Sequence, residues 1–162
     1  MDRRRSSLRH AGWDYGSDGW YFVTIVVHDR VRCLSQIADD AEVLLTSIGR
    51  IVEDELLKTP MIRSYVQLDE YVIMPDHLHI ILVINRGDAV QDDQRHWKPG
   101  CLGAIISRFK EACTKRIRRE IDADFQWHRN YNDRVIRDED ELKRIREYIQ
   151  NNPARWIEDQ NT

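Results

Sequence analysis

A chain of 162 residues fits one domain of ordinary size and can bury a core without disulfide or metal staples. Hydrophobic residues make up 41% and charged residues 33%, and no apolar run nears the roughly 18–20 residues of a bilayer span, so a membrane-crossing helix is excluded. The net charge of −3 argues against indiscriminate coating of nucleic acid but leaves local basic patches open.

Residues 1–18 are polar, basic and without periodicity, and read as an N-terminal arm anchored late by Trp13 and Tyr15. Arg3, Arg4 and Arg5 are followed by no apolar segment, so no secretory signal is expected. Cys33, Cys101 and Cys113 are far apart and form no CxxC pair, which predicts reduced thiols and a cytoplasmic location. Residues 20–27 (WYFVTIVV) are aromatic and β-branched, the composition of a buried strand. Over residues 41–57 the apolar positions Leu44, Leu45, Ile48, Ile51, Val52 and Leu56 keep helical spacing, which Gly49 weakens and Pro60 is expected to stop.

Residues 65–74 and 77–84 are strand-like and joined by Pro75 and Asp76, which predicts an antiparallel hairpin. Residues 85–100 read as a loop. Residues 102–121 form a long amphipathic helix with Ile105, Ile106, Phe109, Cys113 and Ile117 on one side, and residues 125–136 contain a short aromatic strand. A final helix is expected over residues 138–152, capped by Asp138 with Glu141 and ended by Pro153, which makes Asn152 a terminator. The order β-α-β-β-α-β-α predicts a single α+β domain over residues 1–162: a ferredoxin-like (RRM-like) split βαβ antiparallel sheet plus a C-terminal helix.

His77 and His79 flank Leu78 on the hairpin's second strand. Alternation puts both imidazoles on one face, where they can chelate a metal ion; the competing reading is two satisfied, partly buried histidines. On the last helix Tyr148 borders the stripe of Leu142, Ile145 and Ile149, and Asn152 lies one turn further on the same face. Packing alone could account for both. Residues 108–119 (RFKEACTKRIRR) hold six basic residues against one glutamate, with Arg129, Arg134 and Arg137 following. Such a face suits a phosphate backbone, although charge runs are more often solvated.

Together these segments resemble a known family. YVIMPDHLHIILVI resembles the histidine–hydrophobic–histidine (HUH) signature of single-tyrosine transposases, and WHRNYNDRVIRDEDELKRIREYIQNNPARW the C-terminal signature of their REP-associated branch. The N-terminal RRRSSLRHAGWDYGSDGWYFVTIVV fits the same branch. Asp76 departs from it, standing where asparagine is more usual.

The resemblance implies an enzyme that nicks and rejoins single-stranded, hairpin-bearing repeat DNA through a 5′-phosphotyrosine. Tyr148 would be the nucleophile, and His77, His79 and Asn152 would hold a divalent ion, Mg²⁺ or Mn²⁺. Arg108, Lys110, Lys115, Arg116, Arg129, Arg134 and Arg137 are the candidate DNA contacts. No membrane partner is implied, and monomer and homodimer both stay open, as does action of the tyrosine in cis or in trans. Tyr131 is the rival nucleophile. A catalytically inactive nucleic-acid-binding module and an HxH metal hydrolase are the alternatives; the first lacks RNP-type aromatics and the second lacks further ligands.

Overall fold

The computed structural model describes residues 18–85 and 102–161. The arm expected over residues 1–18 lies outside these but for Asp18, as do Cys101 and the loop expected over residues 85–100 but for Asn85. The elements are β1 (Gly19–Val27), β2 (Ser35–Ile37), β3 (Val43–Leu45), α1 (Ser47–Ile62), β4 (Val66–Ile73), β5 (His77–Ile84), α2 (Leu102–Glu120), β6 (Trp127–Val135) and α3 (Glu139–Gln160).

β4, β5, β1 and β6 lie side by side in that order, each antiparallel to its neighbour, which is the ferredoxin-like arrangement expected from the sequence. Alternation along β1 sends Tyr21, Val23, Ile25 and Val27 to one face, where they pack with Leu78, Ile80, Leu82 and Ile84 of β5 beneath α1 and α2. The other face carries a smaller cluster: Ile81, Ile136 and the α3 residues Leu142, Ile145 and Ile149, with Trp20, Phe22 and Val72 against them. The sheet is thus sandwiched, with α3 alone over the second face. Among the described residues no helix is long and apolar enough to cross a membrane.

Three expectations are corrected. Residues 43–45 are not helical: they pair with β2 in a small separate hairpin, and α1 begins only after Thr46, whose hydroxyl accepts the Gly49 N–H at 3.0 Å. Leu44 and Leu45 matched the helical spacing by coincidence, and the cap was the better boundary. Pro60 lies inside the last turn of α1 rather than beyond it. Pro153 likewise sits within α3, which runs on to Gln160, so Asn152 is a buried interior residue and no terminator. The segment beyond Pro153 is held from outside: Arg32 lies over the Trp156 ring at 4.8 Å and bonds Gln160. Tertiary contacts thereby offset the hydrogen bond that proline removes.

Candidate active site on the α3 face of the sheet

His77 and His79 stand at the start of β5, paired with Val26 and Thr24 of β1, and their rings lie 4.8 Å apart. Leu78 between them is fully buried on the opposite face, as alternation requires. Each ring is held through Nδ1. His77 Nδ1 donates to the carboxylate of Asp76 at 2.6 Å, and His79 Nδ1 lies 2.8 Å from the Thr24 hydroxyl. Phe22 stacks on the His79 ring at 5.4 Å. With Nδ1 so engaged, Nε2 is the nitrogen of each ring that can bind a ligand.

Burial holds both imidazoles neutral. It pushes His77 below its ordinary value, against the opposing pull of Asp76. His79 is pushed down to about 3, first by burial and then by the neighbouring His77 and the Arg30 cation. Asp76 is itself almost fully buried, its backbone C=O accepts the Val27 N–H, and its carboxylate also meets Arg30 at 3.5 Å. Arg30 and the preceding Asp29 adopt left-handed backbone, φ 55° and 56°, a costly conformation for residues other than glycine.

α3 supplies the other side. Its N-cap is Asp138, which accepts the Glu141 N–H at 2.9 Å, while Glu141 reaches back to the Arg137 N–H at 2.7 Å. The helix is pinned across the sheet by Arg146, which grips Asp69 with two 2.7 Å bonds, and by Gln150 on Glu70. Those two acids occupy an irregularity in β4, between Leu68 and Tyr71, where the pairing with β5 shifts register. So placed, Tyr148 stands edge-on to His79 at 5.4 Å and to Phe22 at 6.2 Å, over a third exposed, with the Arg155 guanidinium 5.3 Å from its ring. Asn152, one turn on, is buried with its amide near His77, where it favours the protonated ring, and its NH₂ donates to the Tyr148 carbonyl at 3.5 Å.

The site therefore gathers two neutral imidazoles, an amide, a phenol and two arginines. Nitrogen donors with an amide oxygen fit a divalent ion of the Mn²⁺ or Mg²⁺ type, with coordination positions to spare for a phosphate oxygen. Sequence reasoning missed four of its polar members: Asp76, treated as a turn residue, Thr24, Arg30 and Arg155. An acid beside a histidine was the available signal for the first. Thr24 and Arg30 carried none, because only the strand pairing and the left-handed turn bring them in.

The other predicted residues fall elsewhere. Tyr131 pairs with Ile25 and packs on the α1–α2 face, with the sheet between it and the histidines. Arg116 bonds Asp54 and Glu55 of α1 at 2.6 and 2.8 Å, which makes it a strut between helices. Arg134 is engaged by Glu141, and Arg137 lies beyond β6 at the sheet end remote from His77. Arg108 is exposed on α2, and Lys110, Lys115 and Arg129 line a groove between α2 and β6.

The fold and this donor set define a ferredoxin-like domain with a histidine-pair site faced by a tyrosine helix. A structure of a REP-associated tyrosine transposase bound to a REP hairpin is similar in fold, with TM-score 0.54 and 21% identity over 85% of this chain and 67% of that one. An uncharacterized protein of Haemophilus influenzae is 35% identical over 96% of this chain and 92% of its own length, and the chain belongs to one family with it. No family model matches the sequence.

Proposed function

We propose that this protein is a single-tyrosine DNA strand-transfer enzyme that nicks and rejoins single-stranded DNA beside a hairpin. The observation that carries this reading is the meeting of Tyr148, His77, His79 and Asn152 on one sheet face, delivered by one helix and one strand of the same chain. The fold, in which a transposase has been seen bound to a REP hairpin, supports the choice of substrate.

The Tyr148 oxygen attacks the scissile phosphorus, the bond to the 3′ oxygen breaks, and a 5′-phosphotyrosine and a free 3′-hydroxyl result. Since Tyr148 is over a third exposed, its phenolic proton can pass to water. A divalent ion held by His77, His79 and Asn152 would supply positive charge at the phosphate when bound. Asp76 and Thr24 keep the imidazoles turned toward that ion, and Arg155 and Arg30 line the approach with positive charge. The tyrosine acts in cis. Supporting this, Leu142, Ile145 and Ile149 of α3 are buried against the chain's own sheet, each burial worth about 1.5–3 kcal/mol.

Tyr148→Phe keeps the ring's packing and removes one oxygen. With Mn²⁺ and single-stranded repeat-hairpin DNA from the flanking genome, the wild type should yield a protein–DNA adduct on a denaturing gel and the variant none. An adduct from the variant would place the nucleophile elsewhere; metal-dependent cleavage without any adduct would favour a hydrolase.

A further inference from the structure

A second basic surface lies on the face of the sheet that the proposed chemistry does not use. α2 and the start of β6 enclose an open groove of about 960 Å³ whose lining includes Lys110, Lys115, Arg118, Arg119, Trp127 and Arg129. Five cations there face a single acid, Glu111, in a chain whose net charge is negative.

The walls are fixed rather than loosely apposed. Lys110 donates to the His128 carbonyl at 2.9 Å, and Arg118 to the Phe125 carbonyl at 2.9 Å, tying the helix to the strand. Arg119 is partnered by Glu120, whereas Lys115 and Arg129 are exposed and have no acid partner among the described residues. Lys115 and Arg119 stand four residues apart on one helix face, about 6 Å along the axis, which lets neighbouring cations meet neighbouring phosphates.

Trp127 adds an independent observation. It is 8% exposed and held edge-on by Phe125 at 5.1 Å, yet among the described residues its indole N–H has no hydrogen-bond partner. A buried donor left unpaired is uncommon and costs stability unless something accepts from it. Being buried, the ring offers no stacking platform, so the groove presents charge but no surface for bases.

The register fixes where the groove lies relative to Tyr148. Trp127 pairs with Val27 and His77 with Val26, so groove and histidine pair occupy the same end of the sheet on opposite faces. Two strand spacings, about 10 Å, separate β5 from β6. The turn of His28, Asp29 and Arg30 closes that end, its His28 N–H bonded to the Gln126 carbonyl, and it leaves the Arg30 side chain exposed between them.

We propose that this groove holds the sugar–phosphate backbone of the substrate strand beyond the cleaved linkage, so that DNA leaving the tyrosine site bends around the sheet end past Arg30 and lies along α2. This rests on the DNA reading above and adds to it a second, sequence-independent contact surface.

The test is fluorescence anisotropy with labelled oligothymidylate of about 30 nucleotides, longer than a single compact binding site, read across a salt series. Lys115→Ala/Arg129→Ala should weaken binding about ten-fold and flatten the log–log salt slope by about 1.4, the value for two lost phosphate contacts on a single strand. Lys143→Ala/Arg144→Ala, an equal loss of charge on α3, should leave both unchanged. If the wild type binds and the groove variant binds equally well, the groove is not the site although DNA binding stands. An equal loss from the α3 variant would reduce the effect to net charge and also overturn the proposal. If the wild type itself binds no DNA, the reading beneath the proposal fails with it.

Discussion

Asp76 shows how much of the site depends on one carboxylate that is not among the proposed metal ligands. A histidine can offer Nε2 to a ligand only if Nδ1 carries the proton, and an ionised carboxylate accepts but does not donate. The 2.6 Å bond from His77 thus sets tautomer and ring orientation together. Asparagine can present its carbonyl in the same place without the charge. Asp76→Asn should therefore retain most of the Mn²⁺ affinity, while Asp76→Ala should weaken it about 10–100-fold. Competition between free and bound Mn²⁺ followed by electron paramagnetic resonance measures this without reference to turnover. Equal affinity in the alanine variant would show that Asp76 only supports the turn.

The elements that build the site are set by close approaches as much as by hydrophobic pattern. Gly49 looks like a weakness in α1, and by helix propensity alone alanine there would stabilise by about 1 kcal/mol. An added Cβ would instead stand 2.0 Å from the Leu34 carbonyl oxygen, which already accepts from the Thr46 N–H at 3.0 Å and from its hydroxyl at 3.0 Å. Gly49→Ala should thus cost roughly 1–3 kcal/mol in urea unfolding, the range for forced overpacking, and a rise in stability would refute the contact. The same logic explains what was readable in advance. The four sheet strands, the α2 stripe and the Asp138 cap follow from residues whose environment is local or periodic. The β2–β3 hairpin was not readable, because three-residue strands carry too little periodicity. Nor were the extensions through Pro60 and Pro153, since partners distant in sequence, such as Arg32 for Trp156, hold the chain beyond Pro153. The HxH pair, Tyr148 and Asn152 were visible as residues; that Asn152 is buried beside His77 was not.

At the scale of the whole molecule, the sheet divides its labour between two faces. The α1–α2 side is closed by aliphatic and aromatic packing, whereas the α3 side carries a smaller apolar cluster beside the polar groups of the histidine pair. This arrangement couples the proposed chemistry to acid stability. His79 is held neutral in the fold, pushed down to about 3, whereas in the unfolded chain it takes a proton near pH 6.5. Between those values the unfolded state binds more protons than the native one, so stability rises with pH. The contribution is complete above about pH 6.5 and is lost progressively as pH falls toward the native value; His77, shifted in the same direction, adds to it. For metal-free protein, the loss between pH 7 and pH 4.5 through His79 should be about 2–3 kcal/mol, a large share of a typical domain's stability. His79→Gln removes the titrating ring and should flatten that part of the profile, although it lowers stability at pH 7. Urea unfolding of both proteins at the two pH values decides the matter: a pH slope in the glutamine variant as steep as in the wild type would mean that the His79 pocket does not set the acid limit of this fold.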